Sequence, residues 1–322
     1  MRIFIIKLIT ISILISIVFS FLLFAIPKDN NAYLSEYNKK IDIIKHTPSP
    51  RVIFIGASTL AFNIDSKQIS DSVGYNVVNM GLHAGIGAKY YLNDYIQYIK
   101  KGDIVIISPS YDADFRGGGN GTEETMIDLM VSTGCRNLFN LNTYQYKCII
   151  EGIPFFCFRN IIRLQESSKK GWNTPSKNEE FKYAASGFNS YGDEQSHWNI
   201  PYRKGLDIKK SPKSWPSIDT ICVNRGFVTY LKKQKEIYSQ KGAHVIIMPE
   251  ICSELRYKKY NPASIEKAFA EIGGIYFDVS PDEMVFPDSL GYDEWGSSHF
   301  CRSGVTVISN KISNFLSKQV IP

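Results

Sequence analysis

The chain has 322 residues, of which 44% are hydrophobic and 21% charged, with a formal net charge of +6. That composition supplies an ordinary globular core and excludes a disordered polymer. Lys and Arg are spread along the sequence rather than gathered in a stripe, so no nucleic-acid footprint is expected.

The first feature in chain order is the apolar run LITISILISIVFSFLLFAI, Leu8 to Ile26, long enough to cross a hydrocarbon core of ~30 Å. Arg2 and Lys7 precede it, and Lys28 is followed at once by Asp29. This positive flank puts the N-terminus in the cytoplasm and the remaining chain on the far side. A cleaved signal peptide is the rival. No clean small-x-small site follows and the run exceeds a typical apolar signal core, which favours a retained anchor over residues 1–27. Residues 28–50, ending KHTPSPR, read as a polar, proline-bearing tether with a short helix, leaving 51–322 for the folded domain.

Short apolar runs then alternate with helical patterns. RVIFIG (51–56), NVVNMG (76–81), DIVIIS (103–108), AHVIIMP (243–249) and GIYFDVS (274–280) are continuous and bounded by Gly, Pro, Asp or Lys, as in strands buried on both faces of a parallel sheet. AKYYLNDYIQYIKKG (88–102), GFVTYLKKQKEIYSQKG (226–242) and SGVTVISNKISNFLSKQ (303–319) have helical spacing. The alternation predicts an α/β fold, a three-layer α/β/α sandwich around a parallel sheet of about five strands. Residues 110–220 break the pattern and are expected as a long insertion after the third strand, over the carboxyl edge of the sheet where open α/β folds bind ligands. Its Trp172, Tyr183, Phe188, Tyr191, Trp198 and Tyr202 offer faces for stacking on sugar rings or a small core for the insertion itself. The six cysteines (Cys135, Cys148, Cys157, Cys222, Cys252, Cys301) permit disulfides whose pairing the sequence does not choose, and no C-x-x-C or H-E-x-x-H points to a metal.

Three stretches carry chemistry. FIGAS delivers Ser58 to the carboxyl end of the first strand, where the following helix N-terminus stabilises negative charge; the plainer alternative is that Ser58 or Thr59 caps that helix. VVNMGLHAGIG places Asn79, Gly81, His83 and Gly85 after the second strand, with glycines that let backbone N–H groups face an oxyanion or simply serve a turn. Asn79 and His83 are candidates for substrate contact. The spacing fits neither a P-loop nor a dinucleotide motif. Near the C-terminus, FPDSLGYDEWGSSHFCRSG holds His299 just before the last helix, with Asp288, Asp293 and Glu294 nearby. A histidine there takes the proton of a serine across the top of the sheet, or else packs against the final helix.

Together these blocks resemble the SGNH/GDSL hydrolase superfamily across residues 50–318. Gly56 and Ser58 match its Gly-x-Ser block, Asn79, Gly81 and Gly85 its Asn-x-Gly block, and His299 the histidine before the final helix. The resemblance implies Ser58 as nucleophile, His299 as base, Asp293 orienting His299, and the N–H groups of Ser58, Gly81 and Gly85 as oxyanion donors, with no cofactor and no metal. It departs from the family in three places. Ala57 stands for the usual Asp, PSYDADF replaces Gly-x-Asn and leaves Ser108 or Ser110 in that region, and Gly296 occupies the position three before His299. Asp293, Glu294 or a Ser–His dyad therefore stand as alternatives. With an anchor, the resemblance implies an esterase or O-acyltransferase, acting on O-acetyl groups of an acylated cell-envelope polysaccharide beside its biosynthetic partners. Its single-pass anchor would lie in a bacterial inner membrane with the domain periplasmic or extracellular. The other expectations are a catalytically inactive scaffold that binds glycan or an assembly partner, and, more remotely, a flavodoxin-like binding module.

Overall fold

The computed structural model describes residues 1–26, 31–170, 183–200, 223–257, 262–273, 281–291 and 299–319. Its centre is a sheet of four parallel strands in the order β2-β1-β3-β4, where β1 is Arg51–Gly56, β2 Asn76–Asn79, β3 Ile104–Ser108 and β4 His244–Ile247. All residues of β1 and β3 are buried, which is why these strands read as unbroken apolar runs rather than alternating ones. The run 274–280, expected as a fifth strand, lies outside the described residues. A separate short parallel pair joins β5 (Cys252–Ser253) to β6 (Val285–Phe286).

The helices are α1 (Arg2–Ser20, continued by a π turn over Phe21–Ala25), α2 (Glu36–His46), α3 (Ser58–Asn63), α4 (Ser66–Val73), α5 (Ala88–Tyr95), α6 (Glu123–Thr133), α7 (Thr143–Lys170), α8 (Arg225–Gln240), α9 (Glu254–Tyr257), α10 (Pro262–Ile272) and α11 (Arg302–Gln319). The pleat sends alternate side chains to opposite faces. Ile53, Ile55, Val105, Ile107, Val245 and Ile247 pack with α2, α5, α6, α8 and α10, while Val52, Phe54, Ile104, Ile106 and Ile246 pack with α3, α4 and α11. Helices thus cover both sides of the sheet. The α1 helix is long and apolar enough to cross a membrane, and none of its residues is buried.

The short helix expected between 28 and 50 is α2, and its Tyr37, Lys40, Ile41 and Ile44 are buried, three of them in the main core. Arg51, fully buried, donates to the carbonyls of Ile44, Thr47 and Tyr98 and pairs with Asp103 at 3.4 Å, locking α2 to the sheet. Within the region 110–220, expected as an insertion, the described residues include α6 and α7, which pack against each other. Gly152 and Pro154 inside α7, and apolar residues around its whole circumference, blur the helical period in the sequence. The five described cysteines, Cys135, Cys148, Cys157, Cys252 and Cys301, are free thiols, and Cys222 lies outside the described residues.

Candidate active site

The sheet order places β2 on one side of β1 and β3 on the other, so the carboxyl ends of β1 and β3 form the switch point at which open α/β sheets take ligands. Ser58 stands there. β1 closes with Gly56, where a Cβ would meet the Ser108 carbonyl at 2.5 Å and Leu60 Cδ1 at 2.7 Å. Ala57 is extended and occupies the cap position of α3, so capping is not what puts a hydroxyl at Ser58. Ser58 is half-buried, while Thr59 to Asn63 behind it are buried.

The loop after β2 is pressed onto the same turn. A Cβ on Gly81 would lie 2.7 Å from Leu60 Cβ and 2.9 Å from Ala57 O and Ala61 N. Met80 N–H donates to Phe54 O and Leu82 N–H to Gly56 O. Asn79 is fully buried, and its amide is occupied. Nδ2 donates to Leu60 O at 3.0 Å and to Asp193 Oδ1 at 2.9 Å, while Oδ1 accepts from Gly81 N–H at 2.9 Å. Asn79 is therefore a clamp between β2, α3 and the 183–200 segment. The Gly81 N–H is spent on this clamp, and the Gly85 N–H donates to His83 Nδ1 at 3.0 Å. Neither backbone donor expected at the oxyanion is open in this conformation. Ser108, fully buried, donates to Pro249 O at 3.1 Å, and Ser110 Oγ accepts from Ala113 N–H.

His299 is buried, and its ring stacks on Phe62 with centroids 4.2 Å apart and planes 23° apart. The next residue is pinned, since Phe300 N–H donates to Asn63 Oδ1 at 2.9 Å. Ser58 and Phe62 lie one turn apart on α3, with Cβ atoms ~5–6 Å apart at that spacing, and helical side chains lean toward the N-terminus. Phe62 thus links the turn that carries Ser58 to the ring of His299. Asp293, Glu294 and Gly296 lie outside the described residues. Tyr183 Oη lies 3.4 Å from His299 Nδ1.

A second histidine shares this platform. His197 stacks on Phe62 at 4.4 Å and 23°, and its centroid is 5.7 Å from that of His299. Tyr183 packs edge-on against both Phe62 and His197, and Tyr33 stacks on Phe62 and meets His83 edge-on. Burial pushes His197 down to about 4 and His83 below its ordinary value. His299 is held well below 6.5, chiefly by burial and further by the nearby His197, Arg256 and His83. A neutral imidazole is the form that accepts a proton.

On the β3–β4 side, buried Glu250 accepts from Tyr111 N–H at 2.6 Å and faces Arg256 at 3.6 Å; Arg256 also pairs with Asp112 at 3.5 Å. Burial raises Glu250 to about 7 despite the guanidinium. A cavity of about 300 Å³ opens beside the histidines, lined by Tyr33, Leu34, His83, Thr125 and Tyr183 with Glu124 and Asp128 at its side. Among the described residues no group of three His, Cys, Asp or Glu is arranged to hold a metal ion.

His197, Asp193 and Tyr33 were not singled out as site residues from the sequence. His197 and Trp198 form the only His–Trp step in the chain, a signal that a polar stretch dips into the core; Asp193 has no comparable signature. Comparison with protein-family models, with curated proteins and with solved structures gives no match for the chain.

Proposed function

We propose that the chain is a serine esterase or O-acyltransferase of the SGNH type, held at a membrane by α1 and acting on an acylated, membrane-proximal carbohydrate. The observation that carries the proposal is the shared Phe62 platform. His299, held neutral, stacks on Phe62, which follows the half-buried Ser58 by one turn of α3 at the switch point of a parallel sheet.

In this mechanism Ser58 Oγ attacks the acyl carbonyl while His299 takes its proton, then returns it to the leaving alcohol. The Ser58 N–H at the start of α3 meets the developing oxyanion, and the Gly85 N–H joins it once its bond to His83 opens. One such donor is worth ~2.7–4 kcal/mol of barrier. Asp293 is the proposed partner that orients His299. Water or a sugar hydroxyl then accepts the acyl group. The bacterial envelope as the site of action, a polysaccharide substrate and biosynthetic partners beside it belong to the same proposal.

The engaged N–H groups of Gly81 and Gly85 favour a second reading, an inactive scaffold that binds glycan. A fluorophosphonate probe separates the two. On the esterase reading the detergent-solubilised full chain labels at Ser58 and hydrolyses a small acetyl ester, and Ser58→Ala abolishes both without loss of thermal stability. A folded wild-type chain that neither labels nor hydrolyses leaves the scaffold.

A further inference from the structure

The α6–α7 pair lies beside the end of α1, and its outer surface is unlike that of the rest of the domain. Gln145, Cys148, Gly152, Phe156, Cys157 and Asn160 of α7 are buried toward the protein. The opposite side is open to solvent and, around the paired Lys147 and Glu151, carries large apolar residues: Ile150 is 65% exposed, Phe155 52%, Phe158 61%, Ile161 48% and Ile162 40%. The positions 150, 158, 161 and 162 repeat at helical spacing and form one stripe. An exposed apolar stripe of this kind marks an interaction surface.

What covers the stripe follows from its neighbour. Asn160 Nδ2 donates to Leu22 O at 2.8 Å, and Cys157 shares an apolar cluster with Leu22 and Ile26, against which Phe19, Leu23, Ile153 and Leu164 pack. Arg2–Ala25 is ~36 Å long at 1.5 Å per residue, slightly more than a ~30 Å hydrocarbon core. Its last turns therefore reach the boundary between acyl chains and headgroups, and α7 crosses it at that level. The charges are placed to suit. Arg159 turns toward α6, pairing with Glu124 at 3.5 Å and with Asp128, and Glu151 is matched by Lys147 one turn away.

We infer that α7 is an interfacial membrane helix, lying in the headgroup–acyl boundary beside the exit of α1 with Ile150, Phe155, Phe158, Ile161 and Ile162 in the lipid. This rests on the reading that α1 spans the bilayer. The full chain is reconstituted into vesicles of phosphatidylethanolamine and phosphatidylglycerol carrying a phospholipid with an acyl-chain diazirine, irradiated, and mapped by peptide mass spectrometry. Lipid adducts are expected on α1 and on residues 150–162, and not on the exposed sides of α4 or α8. The triple variant Phe155→Glu, Phe158→Glu and Ile162→Glu changes exposed side chains, and is expected to lose the α7 adducts while keeping those on α1. Adducts on α1 alone, adducts on α7 that survive the triple variant, or cross-links from α7 to a second copy in place of lipid would each overturn the assignment of α7 and leave the anchor standing. Absence of adducts on α1 overturns the spanning helix and the assignment with it.

Discussion

Replacing Phe62 with leucine removes the ring on which both histidines rest while keeping an apolar side chain of similar bulk. Phe62 is fully buried and contacts the rings of His299 at 4.2 Å, His197 at 4.4 Å and Tyr183 at 5.3 Å. A nearly volume-conserving core swap costs up to ~1.5 kcal/mol, and each of the two close stacks adds ~0.5–1.5 kcal/mol beyond burial. Their combination gives a loss of roughly 2–4 kcal/mol, a fall in Tm of roughly 5–10 °C for a chain of this size. The chemical consequence is more diagnostic. Burial is the main cause of the depressed His299 pKa, so a looser platform lets that value rise toward 6.5. The folded base then protonates at a higher pH, and fluorophosphonate labelling falls away earlier as pH is lowered. Thermal unfolding in one detergent gives the first quantity, and labelling rates between pH 5 and 8 give the second. A Tm change within about 2 °C, below ~1 kcal/mol, refutes the packing. A normal destabilisation with an unmoved acid limb refutes the claim that Phe62 sets the base.

Three further outcomes are expected. Gly81→Ala forces a Cβ against Leu60, Ala57 O and Ala61 N at 2.7–2.9 Å, costing ~1–3 kcal/mol by overpacking and slowing labelling of Ser58; Gly74→Ala, at an open site with φ +71°, lowers Tm without touching the labelling rate. Lys40 is fully buried, donates to the carbonyls of Asn79 and Gly192, and is pushed down by burial to about 8. Between pH 8 and 10.5 the unfolded chain binds the proton and the folded one does not, so this group makes stability rise with pH. The stability difference between wild type and Lys40→Met, followed by thermal unfolding from pH 7 to 9.5, is expected to shift in favour of wild type by ~1 kcal/mol or more as pH increases; a flat difference overturns the burial of a charged lysine. Glu250, raised to about 7 from an ordinary 4.5, makes stability fall as pH rises through that window. Glu250→Gln is therefore expected to gain on wild type in Tm at pH 8 and to lose that gain at pH 4.5, and an equal offset at both would contradict it.

The parts legible in the sequence are those where local and global preferences agree. β1 coincides with RVIFIG, because continuous β-branched residues between Arg and Gly suit a strand covered on both sides, and α8 and α11 fall within two residues of the expected bounds. The glycine after β2 was legible as a close approach, but not its purpose. Gly81 makes room for the α3 turn, and its N–H serves Asn79. The misread segments owe their structure to distant partners. α2 is polar on average and is held by a buried arginine–carbonyl network and by Lys40, whose acceptors come from positions 79 and 192. His197 reaches the site because Asp193 binds Ser66 and Asn79, and Glu194 N–H donates to Ala61 O. No local pattern encodes contacts of that separation.

The neutrality of the histidine cluster has an electrical consequence. Arg256, the cation beside His299, is matched by Asp112 and Glu250, and at the cavity side Glu124 and Asp128 are matched by Arg159. Long-range steering needs a surplus of one sign of charge; among the described residues here Arg256, Arg159 and Arg116, which pairs with Asp112, stand against four carboxylates of which Glu250 is raised to about 7, so no large surplus of either sign results. Capture of a ligand then depends on shape and on the water displaced from aromatic faces, and its rate should change little with ionic strength, unlike that of a site built to draw in anions.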